Sequence, residues 1–182
     1  ISTEGYGHIN PLDLDEYRAH GGFEALQKAI KSGDRDALIA DVLASGIRGR
    51  GGGGFPSGRK WQLVAAAKGD KKYVICNGDE GDPGAFMDRI LLESYPLRVI
   101  EGMLIAAYAV GAQKGIFYIS AEYPQAVIRI TKALDMCREA GLEFKTGKNG
   151  VTLCGPLKSG KFSVAGNLSS QFISGLLFAL PL

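Results

Sequence analysis

The chain has 182 residues and a mass of 19.3 kDa, the size of one domain or of one domain with an appendage. Hydrophobic residues make up 46% and charged residues 22%, which excludes a globally disordered chain. The 21 bases and 19 acids leave a net charge of +2, so the clustered basic excess needed for nucleic-acid binding is missing. Glycine stands out with 26 residues, roughly twice its ordinary share of about 7%.

The cysteines and the apolar runs indicate where the protein works. Cys76, Cys137 and Cys154 are odd in number and contain no C-x-x-C pair, which is typical of free thiols in a reducing compartment. The longest apolar run, residues 103–110, is far shorter than the ~20 residues that span a bilayer. Residues 1–6 lack the basic start and apolar stretch of a signal peptide. We therefore expect a cytoplasmic protein without a membrane span.

The first quarter of the chain is predicted to be helical. Residues 13–46 carry apolar side chains at helical spacing, interrupted by glycines, which predicts two or three short helices. Asp34 is a good N-cap for the last of them, which we expect to end near Gly46. A glycine-rich loop follows, and Ser57 is expected to cap the next helix. The apolar side of that helix would carry Trp61, Leu63 and Val64.

The middle of the chain alternates between strand and helix signals. Residues 73–76 form an almost fully apolar run, typical of a central parallel strand. A buried helix over 95–110, a second strand over 115–120 and a helix from Pro124 to about residue 138 follow. This order predicts an α/β fold, with a helical N-terminal part and then a parallel β-α-β unit.

The glycine-rich loop is the first candidate site. Residues 49–54 satisfy G-x-G-x-x-G, but a helix precedes them instead of a strand, so they fail the context test for the ordinary dinucleotide fingerprint. Consecutive glycines expose backbone N–H groups and admit flat or charged groups to close contact. We interpret the loop as an anion cradle ahead of a helix N-terminus, with a flexible linker as the alternative. The flanking bases are Arg48, Arg50, Arg59 and Lys60.

A polar turn after the strand at 73–76 is the second candidate site. In open α/β sheets, ligands bind outside the carboxyl ends of the strands. Carboxylates there can accept hydrogen bonds from ribose or ribityl hydroxyls, or hold a metal, although no histidine lies nearby in the sequence. A solvated polar turn is the alternative. The residues concerned are Asn77, Asp79, Glu80 and Asp82.

Four segments together are highly specific: residues 46–61, 74–89, 101–108 and 121–124. In this order they resemble the NADH- and FMN-binding flavoprotein subunit of complex I. They also resemble its soluble relatives, the diaphorase subunits of NAD(P)-reducing and electron-bifurcating hydrogenases and of formate dehydrogenases, and Gly78 after Asn77 is closer to the hydrogenase branch. The resemblance covers residues 5 to about 142 and implies an incomplete Rossmann-like FMN-binding unit.

The resemblance implies an activity: FMN-dependent oxidation of NAD(P)H, with a hydride passing from NADH to FMN and electrons passing on to iron–sulfur subunits of a larger oxidoreductase. A [4Fe-4S] cluster is expected in the full-length family, but its four-cysteine motif is absent from this sequence. No metal ligand and no catalytic side chain is assigned.

The resemblance also implies roles for residues. Gly49, Arg50, Gly51, Gly52 and Lys60 would contact the flavin or its phosphate. Phe55 would stack near the NADH base. The turn would hold the flavin through Asn77, Asp79 and Glu80, with Asp82 taking the position of the acid near the nicotinamide.

The family pattern stops after about residue 142. Residues 145–182 are similar to a stretch of EPSP synthase, whose Ser-Ser-Gln for shikimate 3-phosphate would correspond to Ser169, Ser170 and Gln171. This predicts a truncated flavoprotein domain over residues 1–144 and an unrelated strand-helix tail over 145–182. A fragment of that enolpyruvyl transferase and a non-catalytic remnant are the alternative functions.

Overall fold

The computed structural model describes residues 4–140. Within this range the helices and strands follow one another as α1 (Leu14–Ala19), α2 (Glu24–Ser32), α3 (Arg35–Ala44), α4 (Ser57–Ala66), β1 (Tyr73–Gly78), α5 (Met87–Ser94), α6 (Pro96–Val110), β2 (Lys114–Ile119) and α7 (Pro124–Glu139). The helical N-terminal part and the strand–helix–strand–helix order agree with the predicted fold class. Helix α5 was not predicted.

The two strands form a parallel pair. Tyr73 lies opposite Lys114 and Gly78 opposite Ile119, so the strands are paired over their full length. The chain between them forms α5 and α6, which both pack against β1. Parallel strands need a long crossover, which α5 and α6 supply here. The carboxyl ends of β1 and β2 therefore lie at the same edge. The α/β prediction is confirmed.

One face of the described strand pair is covered and the other is open. Val74, Cys76 and Phe117 pack into the helical side of the structure. Tyr73 and Ile75, which point the other way, are 45% and 53% exposed. Among residues 4–140, β1 therefore has one exposed face and β2 as its paired strand, and its central position in the sheet stays a prediction.

Helix α6 is the centre of the core. It packs against α2, α3, α4, α5 and α7 and against both strands. Pro96 occupies its first turn, where the missing N–H costs nothing, and Gly111 ends it in the left-handed conformation at φ +71°. Leu97, Ile100 and Leu104 are all at most 6% exposed. The helix predicted over 95–110 is confirmed.

Most of the other helix boundaries follow the local signals. Asp34 accepts a hydrogen bond from the backbone N–H of Ala37 at 2.8 Å, so it caps α3 as predicted. Ser57 does not cap α4. It is the first helical residue, and Pro56 takes the cap position without a side-chain hydrogen bond. The N–H of Ser57 donates instead to the carbonyl of Ile47 at 2.9 Å.

The apolar side of α4 is narrower than predicted. Trp61 and Val64 pack against the end of α6, whereas Leu63 is 51% exposed. Each helical residue turns by about 100°, so Leu63 lies on nearly the opposite side of the helix from Trp61. Its assignment to the apolar side is wrong.

A buried carboxylate connects the N-terminal helices to α6. Glu101, 8% exposed, accepts hydrogen bonds from the hydroxyl of Tyr17 at 2.5 Å and from the N–H groups of Phe23 at 2.9 Å and Leu26 at 3.3 Å. Phe23 has left-handed backbone at φ +66° and offers no side-chain cap to α2. Glu101 therefore supplies the acceptor that the start of α2 lacks.

Replacement of this carboxylate should destabilise the fold. We expect Glu101→Ala to lower the free energy of unfolding by about 3 kcal/mol, because it leaves buried N–H donors without an acceptor. Urea unfolding followed by circular dichroism measures the change. Glu139→Ala, at an exposed glutamate of α7, is the control and should change stability by less than about 0.5 kcal/mol. Equal effects of the two variants would contradict the anchoring role of Glu101.

Candidate functional site

The glycine-rich loop is closed at its base. Arg48 and Pro56 form an antiparallel bridge, and the N–H of Gly49 donates to the carbonyl of Phe55 at 2.9 Å. The Arg48 guanidinium also donates to the carbonyl of Gly54 at 2.9 Å. These contacts give the loop a defined shape, which does not fit the alternative of a flexible linker.

The tip of the loop presents bare backbone. Gly52 at φ +92° and Gly54 at φ +57° adopt left-handed conformations that side chains disfavour. A Cβ built on Gly52 meets no atom within 4 Å, so the space beside it is open. Arg50, Lys60 and the ring of Phe55 are exposed around this tip. A flat ligand can therefore approach the backbone directly.

The contacts of α4 fix the direction in which it runs. At its C-terminal end, the ammonium group of Lys72, just before β1, donates to the carbonyl of Ala65 at 2.6 Å, and Val64 packs against the same cluster at the end of α6 as Val74 of β1. The last turn of α4 therefore lies at the amino end of the strands. A 10-residue helix is about 15 Å long, so its first turn lies well away from that end.

Helix α3 supports the same direction. Its first residue, Arg35, lies over the ring of Tyr108 at the end of α6, 5.0 Å from the centroid. Its last turn lies against the start of α4, where a Cβ on Gly58 would meet the backbone of Leu43 at 2.4 Å. Gly58 thus lets the two helices approach closely. The glycine loop, directly before α4, therefore lies away from the amino end of the strands.

The polar turn lies at the carboxyl edge of the strands, because it follows β1 directly. The side-chain oxygen of Asn77 accepts a hydrogen bond from the N–H of Asp79 at 3.1 Å, which folds the turn back on the strand end. Asn77 and Asp82 are exposed, and Asp79 is half-buried. The turn therefore lies at the carboxyl edge of the strands, and its meeting with the glycine loop stays a prediction.

Glu80 has a role that the sequence did not reveal. Its two carboxylate oxygens accept hydrogen bonds from the N–H groups of Asp88 at 2.9 Å and Arg89 at 3.0 Å, so it caps α5. Its backbone is left-handed at φ +36°, and its carbonyl accepts a bond from the hydroxyl of Tyr123 at 2.9 Å. A merely solvated turn does not fit these contacts. Flavin binding by Glu80 stays a prediction.

Helix α5 was missed because its cap is distant in sequence. Asp88 lies eight positions after Glu80 in the chain. The segment between them contains Pro83 and Gly84, which are typical of a loop. The signal that could have revealed the helix is the Arg89–Glu93 pair at i, i+4 together with the buried Leu92.

The carboxyl edge is acidic and partly desolvated. Burial first, and then the charge of Glu80, raise the pKa of Asp88. Burial and the charge of Asp88 raise the pKa of the Cys76 thiol to about 11, which leaves it protonated and unreactive. Burial and Asp79 likewise raise the pKa of Tyr118. Over residues 4–140, no three histidine, cysteine, aspartate or glutamate side chains gather as a metal site would require.

Two hollows of the described residues lie away from the loop and the turn. An apolar hollow at the start of β2 is lined by Met103, Phe117 and Leu134, and a shallow polar one follows α2. Neither is lined by a residue of the loop or the turn. The predicted residues Ser169, Ser170 and Gln171 lie outside the described residues, as does the predicted boundary between residues 144 and 145.

An α/β unit with a glycine loop and a polar turn at the carboxyl edge of parallel strands has the arrangement of a nucleotide-binding domain. Residues 42–175 match the family model of the Nuo51 FMN-binding domain, which is more than half of the chain. The chain therefore belongs to the Nuo51 FMN-binding domain family. The match extends into the segment compared with EPSP synthase, and that resemblance stays a prediction.

Named relatives agree with the family. The NADP-reducing hydrogenase subunit HndC of Solidesulfovibrio fructosivorans is 48% identical over 78% of this chain and 29% of that protein. An NADH-quinone oxidoreductase subunit of Rhizobium meliloti is 44% identical over 74% of this chain and 31% of that protein. The chain thus spans less than a third of the length of these curated relatives.

Solved structures show the same fold. A crystal structure of NAD+-reducing [NiFe]-hydrogenase in the H2-reduced state matches with a TM-score of 0.59 and 36% identity, over 66% of this chain and 21% of that one. Helices long and apolar enough to cross a bilayer do not occur within residues 4–140.

The raised pKa of Asp88 predicts a pH-dependent stability difference. The pKa of Asp88 is higher in the folded state than in the unfolded state. Such a group stabilises the folded state most at a pH below its unfolded-state pKa, and this contribution is lost as the pH rises through its folded-state pKa. We therefore expect the stability of Asp88→Asn relative to wild type to improve as pH rises from about 3.5 to 7. Urea titrations across this range measure it, with exposed Asp41→Asn as the control. A difference that is constant with pH would contradict the desolvation of Asp88.

Proposed function

We propose that this chain supplies the flavin-facing part of an FMN-dependent NAD(P)H-oxidising flavoprotein. The observation that carries the proposal is the carboxylate-bearing turn directly after β1, at the carboxyl end of the parallel strands. The open glycine backbone directly before α4 is proposed to meet this turn around one ligand. Membership in an FMN-binding family supports the same ligand.

The loop fits the isoalloxazine and the phosphate of FMN. Gly49 and Gly52 leave room for a flat ring where a side chain would fill it, and Gly51 lies between them in the chain. The first turn of α4 has no side-chain cap and no acidic residue, and it carries exposed Lys60. Helix N-termini attract anions, so this turn, with Lys60 and the nearby Arg50, suits a phosphate group.

The turn fits the hydroxyl-bearing part of the cofactor. Asn77 and Asp79 offer acceptors for ribityl hydroxyls, and Glu80 fixes the turn through its bonds to α5 and Tyr123. Asp82 is exposed, in the position that the family assigns to the acid near the nicotinamide. Phe55, 45% exposed beside the loop, suits stacking with the base of the dinucleotide.

FMN, when bound, would supply the redox chemistry by accepting a hydride and releasing electrons singly. The residues of this chain would bind and orient the flavin and the dinucleotide. We propose that the electrons leave to iron–sulfur partner subunits, since the relatives are named as subunits of NADH-quinone oxidoreductase and of NADP-reducing hydrogenase. A cytoplasmic location is part of the proposal.

Gly49→Ala tests the close approach of the flavin to the loop. Its backbone is not left-handed, and a Cβ there would meet only the carbonyl of Phe55 at 3.6 Å, an ordinary contact. The substitution should leave stability unchanged but weaken FMN binding about tenfold or more, because a methyl group would enter the space of the ring. Quenching of flavin fluorescence measures the dissociation constant.

The matched control for Gly49→Ala is Gly69→Ala. Gly69 precedes β1 at the amino end of the strands, and a Cβ there would lie 3.9 Å from the carbonyl of Lys71, which leaves room for it. This variant should bind FMN like wild type. Equal binding by both variants would remove the loop from the flavin site.

Lys60→Gln tests the assignment of the phosphate. We expect this variant to bind FMN about three- to tenfold more weakly and riboflavin unchanged, because only FMN carries the phosphate charge. Isothermal titration with the two ligands at constant ionic strength measures the difference. Lys28→Gln, on the exposed side of α2, is the control. A similar loss for FMN and riboflavin would contradict a phosphate contact at Lys60.

A further inference from the structure

The side chain of Arg89 occupies an unusual place beside the acidic turn. Its guanidinium lies over the ring of Tyr123, 5.4 Å from the centroid, and its Nε donates to a carboxylate oxygen of Glu93 at 3.0 Å. The side chain is 47% exposed. An exposed ion pair contributes little to stability, so the pair with Glu93 serves to orient the guanidinium more than to hold the fold.

Tyr123 connects this arginine to the turn. The ring is buried at 8% exposure, and its hydroxyl donates to the carbonyl of Glu80. Burial first, and the charges of Glu80 and Glu122 next, raise the pKa of Tyr123, so the hydroxyl keeps its proton and can donate. The charge of Arg89 acts in the opposite direction on that pKa, and Asp79 adds to the raising.

The same arginine reaches Glu80 by a second path. The backbone N–H of Arg89 donates to the Glu80 carboxylate, while its side chain holds the ring that binds the Glu80 carbonyl. Glu80 has left-handed backbone, which a side-chain-bearing residue adopts only when its surroundings hold it there. The backbone contact survives any substitution of Arg89, so a variant isolates the contribution of the side chain.

We infer that Arg89 is a positioning residue for the flavin edge: its side chain holds Tyr123, and Tyr123 fixes the Glu80 carbonyl and hence the turn over residues 79–82. This inference rests on the proposed function. Arg89 has no direct contact with flavin in this role. It acts by keeping Asn77 and Asp79 in the orientation in which they meet the ligand.

The first measurement needs no flavin. Amide hydrogen exchange of residues 79–84 in the full 182-residue chain should be about two- to fivefold faster in Arg89→Gln, as expected for losing an exposed cation–π contact. Tyr123→Phe should speed exchange at least as much. Arg138→Gln is the matched control, because it removes another exposed arginine with one ion pair, to Asp135, and should leave these amides unchanged.

The second measurement is FMN affinity by fluorescence quenching in the same variants. We expect Arg89→Gln to weaken binding about two- to fivefold and Arg138→Gln to have no effect. In a double-mutant cycle, adding Arg89→Gln to Tyr123→Phe should cause no further loss, because the hydroxyl through which Arg89 acts is already gone. Arg89→Lys should recover only part of the affinity, since it lacks the planar group that stacks.

The outcomes separate the two claims. If wild type binds no FMN, the proposed function and the role of Arg89 both fail. If wild type binds FMN and Arg89→Gln binds it equally well, only the role of Arg89 is overturned. Unchanged hydrogen exchange in Arg89→Gln, or additive losses in the double-mutant cycle, would overturn it as well. Faster exchange together with weaker, non-additive binding supports it.

Discussion

The parallel pairing of β1 with β2 is the constraint on which the rest of the structure depends. It requires the crossover through α5 and α6, and it places the carboxyl ends of both strands at one edge. The turn after β1 and the start of α7 after β2 consequently meet there, where Tyr123 can reach Glu80. Helix α4 ends near the opposite, amino edge, so the glycine loop before it lies away from that edge. The binding edge is thus a consequence of strand direction.

Within that edge, Glu80 holds the local geometry. A single residue caps α5 with its carboxylate, accepts a bond from Tyr123 with its carbonyl and adopts a left-handed backbone between the two. The neighbouring carboxylates are left exposed or half-buried. This division suits a binding surface, because one acid supplies rigidity while Asp79 and Asp82 can meet a ligand. Burial first, and then the charge of Glu80, raise the pKa of Asp88 at the same edge.

Local signals predicted much of the fold, since Asp34 caps α3 and Pro124 begins α7 through their own neighbours. Features that depend on distant contacts were missed. The cap of α5 comes from Glu80, eight residues away, and the start of α2 is satisfied by Glu101, 75 residues from Leu26. Leu63 is a local misassignment, because two residues of helix turn it to nearly the opposite side from Trp61. The proposed site residues come from glycine and carboxylate patterns that are readable in sequence, whereas the contacts of Tyr123 and Arg89 with the turn are not.

The central claim is that the glycine loop and the acidic turn contact one flavin together. Hydrogen exchange of the full chain, with and without saturating FMN, tests this most directly because it reports on both segments at once. We predict that FMN slows the exchange of residues 49–54 and of residues 77–82 in parallel, with the same dependence on FMN concentration. Protection of one segment without the other, at saturating FMN, would contradict it.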